Sequence, residues 1–448
     1  MDECAASEQV SRSGMSTSRG FAVQKEHRLL FFTLLGINSL PVIASTAAAP
    51  ALPSMSRAFG ALPNVDVLVP LVLTLGPLGV ALSGPLVGIA IDRIGRRAVL
   101  IFGAFAYVGV GVAPAFMQDL RAILVTRFLL GVTVCCLMAG AVTVISDQFE
   151  GTARARVLSV QAGIVGIIAM LAIFGSGIIA QVNWRMSFLI YLVALPIVPL
   201  AARHIPERST VALKVKSQIA PSDGRDNKAL SEEHSIDHQA PLQIPKVRLV
   251  LLVPALYLAM LLLQMTNFLA ILQVPYVLEA RFGAGPALAG AAVAIATVGY
   301  AVGALASVSL SQRLVPLHVS AFALAVIGLA YLAIAEGDLL VVMLAKFASG
   351  FGFGLLVPNI LAWLAAVAPP SRRGRLFGGL TGSLFLGQFL SPIVWRPFVG
   401  SLGASVTIFV CGLICLSVSS VFVALSMRTA PGCRRNIFGP SVSREATG

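Results

Sequence analysis

The sequence predicts an all-α membrane protein whose twelve transmembrane helices form two six-helix repeats. The chain of 448 residues is 57% hydrophobic and only 11% charged, whereas soluble domains carry roughly 25% charged residues. Apolar runs of about 18 residues or more recur along most of the chain, and a run of that length predicts a membrane-spanning helix. Charged residues in the second half also repeat the spacing of those in the first half.

Twelve apolar segments can be counted along the chain. They lie at about 29–50, 66–90, 98–117, 121–145, 157–181 and 186–203, and then at about 249–275, 287–311, 317–335, 339–365, 376–399 and 404–426. Only VGSLGAS separates the last two segments, so this boundary is the least marked of the twelve.

The distribution of Lys and Arg predicts the orientation. With both termini on one side, that side holds 25 of the 32 basic residues and the opposite side holds five. Positively charged loops stay in the cytoplasm, so both termini are expected there. The expected organisation is a cytoplasmic tail (1–28), a six-helix half (29–203), a polar cytoplasmic linker (204–247), a second six-helix half (248–426) and a cytoplasmic tail (427–448).

An offset of 219 residues superposes the tenth span on the fourth. DLRAILVTRFLLG, which begins at Asp119, then aligns with DLLVVMLAKFASG, which begins at Asp338. Arg127 falls opposite Lys346, in the middle of two otherwise apolar segments. Matching charges at one offset indicate an internal repeat, and paired repeats with a site at their interface are a recurrent plan of transporters.

A cluster of charges interrupts the apolar pattern between the second and third spans, in GIAIDRIGRRAVL. The residues that form its pattern are Gly88, Asp92, Arg93, Gly95, Arg96 and Arg97. So short a connection requires a tight reversal, for which glycine supplies the backbone freedom. The arginines favour a cytoplasmic location for the loop.

This G-x-x-x-D-R-x-G-R-R pattern resembles the signature loop of the major facilitator superfamily. The R-x-x-x-G of the fourth span, Arg127 to Gly131, resembles the second motif of that superfamily's proton-linked exporters. The resemblance implies the superfamily's fold. It also implies that the loop latches the two halves on the cytoplasmic side. Candidate partners near the end of the fourth span are Asp147, Glu150, Arg154 and Arg156. A charge cluster that only sets the orientation in the membrane is the alternative. The equivalent segment of the second half has Gln312 in place of an acid, so the expected latch is one-sided.

Arg127 and Lys346 lie inside predicted spans, where a cation costs at least a few kcal/mol in hydrocarbon. Each is therefore expected to face the bundle interior or water, although snorkelling to the membrane surface is an open alternative. In the superfamily, spans 1, 4, 7 and 10 line the cavity. The resemblance thus implies a substrate or proton pathway that contains Asn38, Arg127, Gln264, Asn267, Lys346 and Asn359. Each amide equally suits interhelical hydrogen bonding.

The resemblance implies a secondary active transporter that works by alternating access. The two exporter-like motifs favour proton-linked efflux of a small amphipathic drug or metabolite. Two features favour a carrier or exchanger of organic anions instead: no acidic residue lies mid-span, and the fifth span has Ala172-Ile173 and Ser176-Gly177 where exporters have Gly-Pro and Gly-Gly. A membrane receptor that transports nothing is an alternative of another class.

Several functions are not expected. The sequence contains no nucleotide-binding loop, metal-ligand cluster or nucleophile motif, so neither an enzyme nor a cofactor or metal site is predicted. The net charge of +13 is explained by membrane orientation rather than by nucleic-acid binding. The expected partners are a small-molecule substrate, protons as coupling ion and the lipid bilayer. The expected form is a monomer in a bacterial inner membrane.

Overall fold

The computed structural model describes residues 29, 32–148, 151–204, 246–369 and 373–428. Twelve helices in these ranges are long and apolar enough to cross a membrane, which confirms the predicted number. No strand occurs in the same ranges. The helices are α1 (Phe32–Ala58), α2 (Val65–Ile94), α3 (Arg96–Val112), α4 (Leu120–Gln148), α5 (Gly151–Val182), α6 (Trp184–Arg203), α7 (Lys246–Phe282), α8 (Pro286–Arg313), α9 (Pro316–Glu336), α10 (Leu339–Val367), α11 (Arg373–Leu402) and α12 (Ala404–Arg428).

Helices α1 and α7 run past their predicted ends near residues 50 and 275. Helix α1 continues through a 3₁₀ turn, Ala49–Ala51, into the α-helical segment Leu52–Ala58, with proline in the first turn of each. Proline is tolerated there because the first N–H groups of a helix have no intrahelical partner. Helix α7 continues to Phe282 with Pro275 inside it. The apolar pattern ended earlier because both extensions carry polar residues.

The predicted tails and linker fall almost entirely outside the described residues. Of the tails, only 427 and 428 are described, and of the linker only 204, 246 and 247. The division into tails, halves and linker therefore stays a prediction.

Single glycines make two of the tight reversals between helices. Gly95 separates α2 from α3 with φ +86°, and Gly403 separates α11 from α12 with φ +84°. An L-residue with a side chain rarely adopts such a positive φ. The tight reversal expected at Gly95 is therefore present, and Gly403 provides the boundary that the sequence marked least.

The described helices form two compact units. One contains α1–α7, α8 as far as Ala294 and most of α11 (Gly374–Arg396), and the other contains the remaining helices. In the first unit, a Cβ at Gly131 of α4 would overlap the carbonyl oxygen of Gly76 on α2. A Cβ at Gly79 would overlap the carbonyl oxygen of Phe128. These helices therefore approach each other to backbone contact.

The second unit contains the equivalent crossing between α8 and α10. A Cβ at Gly350 would overlap the carbonyl oxygen of Ala296, and one at Gly299 would overlap that of Phe347. Gly131 and Phe128 map onto Gly350 and Phe347 at the offset of 219 residues. The helix contacts therefore repeat together with the charges, as expected of two six-helix repeats.

Polar side chains in the first unit fasten neighbouring helices to α1. Ser176 of α5 donates a hydrogen bond of 2.6 Å to the Ala47 carbonyl oxygen. Tyr107 of α3 donates one of 2.9 Å to the Leu40 carbonyl oxygen. Such bonds hold helices together where the surrounding lipid offers no hydrophobic driving force between them.

We predict that Gly131→Ala and Gly350→Ala destabilise the fold, because each new methyl group meets a backbone carbonyl that cannot move aside. Overpacking of this kind costs about 1–3 kcal/mol. The measurement is the midpoint of thermal unfolding in detergent, with an expected fall of about 2 °C or more. Gly109→Ala is the matched control, because a Cβ at this helical glycine meets nothing within 4 Å. Equal midpoints in all three variants contradict the prediction.

Candidate functional site

Arg127 of α4 is buried, with only 2% of its surface exposed. Its Nη2 donates hydrogen bonds of 3.1 Å to the Val110 carbonyl oxygen and 3.0 Å to the Gly111 carbonyl oxygen. These carbonyls lie in the last turn of α3, where helix carbonyls have no intrahelical partner and the helix dipole is negative. The guanidinium therefore caps the C-terminus of α3.

Two aromatic rings of α6 also contact Arg127. Its Cζ lies 5.0 Å from the ring centroid of Phe188 and 5.2 Å from that of Tyr191. The Tyr107 ring of α3 packs edge-on against Tyr191, with centroids 5.6 Å apart. We call the rings of Phe188 and Tyr191 around the guanidinium the aromatic cage. Cation–π attraction strengthens when the cation is desolvated, so this cage stabilises the buried charge and joins α3, α4 and α6.

The cage leaves several polar atoms unpaired. Within the described ranges, Nε and Nη1 of Arg127 and the hydroxyl of Tyr191 have no hydrogen-bond partner. No carboxylate of the described residues forms an ion pair with Arg127. The charge is therefore balanced by helix-end carbonyls and aromatic faces.

Lys346 of α10 is equally buried, with 2% of its surface exposed. It occupies the position equivalent to Arg127, but the cage is not repeated: the positions equivalent to Phe188 and Tyr191 are Thr407 and Val410. No described carboxylate pairs with its ammonium group. Lys346 is therefore a buried cation that lacks the compensation found around Arg127.

The predicted pathway residue Asn359 ties α10 to the start of α9. Its Nδ2 donates hydrogen bonds of 2.8 Å to the Pro316 carbonyl oxygen and 2.8 Å to Ser320 Oγ. Its Oδ1 is buried without a partner among the described residues. One role of the Asn359 amide in this structure is therefore to form hydrogen bonds between helices.

Helices α7 and α11 meet at an amide pair. Gln388 Nε2 donates to Gln264 Oε1 at 3.4 Å, and both residues are buried. Gln388 Oε1 has no partner in the described part of the chain. Asn267, one turn after Gln264, is half-buried. Asn38 of α1 is also half-buried, and its Nδ2 donates within its own helix to the Leu34 carbonyl oxygen at 3.0 Å.

One arginine of the charged loop between α2 and α3 contacts the end of α6. Arg97 Nη2 donates a hydrogen bond of 2.6 Å to the Ala202 carbonyl oxygen, in the last turn of α6. Arg96 is buried, whereas Gly88, Asp92 and Arg93 are exposed. Asp92 forms no ion pair with a described side chain.

The expected latch partners, Asp147 and Arg154, have side chains outside those that the structure describes. The latch stays a prediction.

The contacts that join the ends of α1 and α7 were not predicted from the sequence. Arg57 forms an ion pair with Glu279, and Ser56 hydrogen-bonds to Tyr276 at 2.7 Å. All four residues lie beyond the predicted ends of these spans. The sequence did contain one indication of the ion pair, because a basic and an acidic residue lie at the same predicted end of two equivalent helices.

Comparison with models of known protein families identifies the family of this chain. The family model described as Major Facilitator Superfamily matches residues 34–273 and 256–443. The chain belongs to the Major Facilitator Superfamily. The resemblance inferred from the charged loop and from α4 is thereby confirmed.

Solved structures show the same fold at low sequence identity. The inward-open xylose transporter XylE of E. coli superposes with a TM-score of 0.66 at 14% identity, over 89% of this chain and 95% of that one. A D-xylose–proton symporter superposes with a TM-score of 0.64 at 17% identity, over 88% of this chain and 96% of that one. These likenesses confirm the predicted fold.

Sequence similarity to curated proteins is partial. The chain is 31% identical over 111 residues to multidrug resistance protein MdtL of Shewanella sp. (strain ANA-3), which is 25% of this chain and 28% of that protein. It is 27% identical over 104 residues to multidrug resistance protein MdtM of Salmonella typhimurium, which is 23% of this chain and 25% of that protein. The match thus spans about a quarter of each of these relatives.

We predict that Arg127→Lys destabilises the protein even though the positive charge is kept. An ammonium group cannot reproduce the planar guanidinium, which donates to two helix-end carbonyls while it contacts two rings. The carbonyls left unpaired cost about 1–3 kcal/mol, which lowers the unfolding midpoint in detergent by about 2 °C or more.

Arg121→Lys is the control for this substitution. Arg121 lies earlier on the same helix and is exposed, and exposed substitutions usually change stability by less than about 0.5 kcal/mol. If Arg127→Lys and Arg121→Lys unfold at the same temperature, the cage does not contribute to stability.

Proposed function

We propose that the protein is a secondary active transporter that exports a small amphipathic drug or metabolite in exchange for protons. The observation that carries this proposal is the similarity of a quarter of the chain to multidrug resistance proteins MdtL and MdtM. The exporter-like motif at Arg127 to Gly131 supports it. Alternating access at a central site is the working cycle that paired repeats favour.

The pathway that we propose is lined by amides and by few charges. Asn38, Gln264 and Asn267 are amides on α1 and α7, and Asn359 adds one on α10. Because no acidic residue lies mid-span, the proton is proposed to bind near the ends of helices. Asp66 at the start of α2 and Asp147 near the end of α4 are the carboxylates nearest to the spans.

A second candidate is a carrier of organic anions, and one observation favours it. Lys346 is buried without a described carboxylate partner and without the aromatic cage that surrounds Arg127. A buried ammonium group gains most from an anion supplied by a ligand, because desolvation otherwise leaves its charge uncompensated. A carboxylate or phosphate substrate would provide that charge.

The proposed location is the inner membrane of a bacterium, with both termini in the cytoplasm. The relatives with multidrug resistance names come from Shewanella, Salmonella and Escherichia coli. The distribution of basic residues supports this orientation. We propose a monomer as the working form.

The test is uptake into inside-out vesicles that contain the protein. A lipophilic cation and a small organic anion are offered with and without acid inside the vesicles. Accumulation of the cation that requires the proton gradient and stops with a protonophore is the result expected of the exporter. Exchange of the anion without a proton gradient would make the anion carrier the better description.

Lys346→Met and Lys346→Arg separate the two candidates further. Methionine removes the charge but keeps a long side chain, whereas arginine keeps the charge. For an anion carrier, we expect Lys346→Met to abolish exchange and Lys346→Arg to retain part of it. For the exporter, cation uptake should survive in Lys346→Met. Ligand binding without any flux in the wild type would contradict both and favour a receptor.

A further inference from the structure

A polar cavity lies at the predicted extracellular ends of α1, α4 and α6. Its volume is about 410 Å³, and it is bounded by the end of α1 with the residues that follow, by the turn before α4 and by the start of α6. All of these residues belong to the first compact unit. A cavity of this size is within the range of small-molecule sites. We call it the α1–α4–α6 pocket.

Two opposite charges line this pocket without pairing with each other. Asp119 contributes a carboxylate, Arg185 a guanidinium and Gln118 an amide. No ion pair between the two charged groups occurs among the described residues. Asp119 Oδ1 accepts a hydrogen bond of 3.1 Å from the backbone N–H of Arg121, which leaves Oδ2 available to a ligand. Each charge can therefore bind an oppositely charged group of one ligand.

An aromatic ring holds the guanidinium of Arg185 in position. Its Cζ lies 4.5 Å from the ring centroid of Trp184, and Trp184 packs edge-on against Phe59 with centroids 5.7 Å apart. Leu62, Leu120 and Phe59 give the pocket an apolar wall. A planar guanidinium that is stacked on a ring keeps its N–H groups ready to bind a carboxylate or a phosphate. The pocket thus combines a positioned cation, an anion and an apolar surface.

The second repeat does not contain this arrangement. At the offset of 219 residues, Asp119 corresponds to Asp338, and each of these side chains accepts a backbone hydrogen bond at the start of the helix that follows it. The positions equivalent to Phe59, Gln118, Trp184 and Arg185 are Leu278, Gly337, Gly403 and Ala404. Helix capping therefore explains the carboxylate, but it does not explain the arginine, the rings and the amide around it in the first repeat.

We propose that the α1–α4–α6 pocket binds a small free zwitterion with an apolar side chain, of the chemical class of the apolar α-amino acids. The anionic group of the ligand binds the guanidinium of Arg185, its ammonium group binds the carboxylate of Asp119, and its side chain contacts the apolar wall. A ligand with a single charge would satisfy one of these groups and be repelled by the other.

The pocket is open to water and separate from the proposed transport pathway. Gln118, Asp119 and the lining residues 58, 61 and 62 are exposed, so a dissolved compound can enter. None of the residues that we propose for the pathway lines this pocket. The inference therefore does not depend on which compound the protein transports.

Trp184 provides a direct readout of the pocket. The chain has three tryptophans, so Trp363→Phe and Trp395→Phe leave Trp184 as the single one. This parent protein is placed in nanodiscs of phosphatidylglycerol, which contain no zwitterionic lipid, and its emission is recorded while L-leucine is added. We expect a saturable change, because a group bound to Arg185 alters the environment of the ring on which the guanidinium is stacked.

Two analogues test whether both charges of leucine are needed. 3-Methylbutan-1-amine is leucine without its carboxylate, and 4-methylpentanoate is leucine without its ammonium group. Each should require a concentration about tenfold higher for half of the change, because one charge-assisted interaction is lost. The proposal is wrong if leucine gives no saturable change, or if either analogue binds as tightly as leucine does.

Variants locate the binding site. We expect Asp119→Asn and Arg185→Gln each to raise the half-saturating concentration of leucine about tenfold, at an unchanged unfolding midpoint, since asparagine also caps helices well. Asp338→Asn removes the same charge from the equivalent cap, and Arg281→Gln removes another arginine that contacts the ring of its neighbour, Phe282. Both controls should bind leucine as the parent does. If the pocket variants bind leucine no more weakly than these controls, leucine binds elsewhere and the assignment is overturned.

The headgroup of phosphatidylethanolamine is a second source of a zwitterion. Dihexanoyl phosphatidylethanolamine is therefore added to the parent protein in place of leucine. A saturable change with leucine and none with this lipid supports a free ligand. A change with the lipid and none with leucine would show that the pocket binds a lipid headgroup, and the proposal would be wrong.

Discussion

Backbone contact between helices at glycine is the interaction on which the rest of this structure depends. Lipid tails are as apolar as the helices, so association in the membrane relies on close packing and on interhelical hydrogen bonds. Gly131 against the carbonyl of Gly76, and Gly350 against that of Ala296, bring two pairs of helices together without intervening side chains. The crossing of α2 and α4 sets the position of α4, and with it that of Arg127, one turn before Gly131.

The two buried cations show how one repeated position can acquire two environments. Arg127 reaches the free carbonyls at the end of α3 and two aromatic rings of α6. Lys346 has threonine and valine at the positions equivalent to those rings. A guanidinium can donate in its plane while its faces contact rings, whereas an ammonium group cannot. The first repeat therefore uses its cation to fasten helices, whereas the described carboxylates and the positions equivalent to the cage rings provide no such partner for Lys346.

Further polar contacts between helices lie at the helix ends. Arg97 docks the loop after α2 onto α6, and Arg57 with Glu279 joins α1 to α7. Charges near the membrane surface are hydrated on one side, so their contacts are weaker than buried ones and are more easily exchanged. Such contacts suit the alternating-access cycle that we propose for this protein.

The sequence by itself determined the class, the number of helices, the repeat and the family. Each of these rests on signals that the chain carries locally: the length of apolar runs, the spacing of charges, and the loop from Gly88 to Arg97. Tertiary structure alone decided which partners each polar residue meets. Arg127 caps α3 because close packing of α2 with α4 places it there. Arg57 meets Glu279 because α1 and α7 extend beyond their apolar runs. Neither contact can be predicted from the sequence alone, because the residues involved are up to 222 positions apart. Only helix packing brings them together.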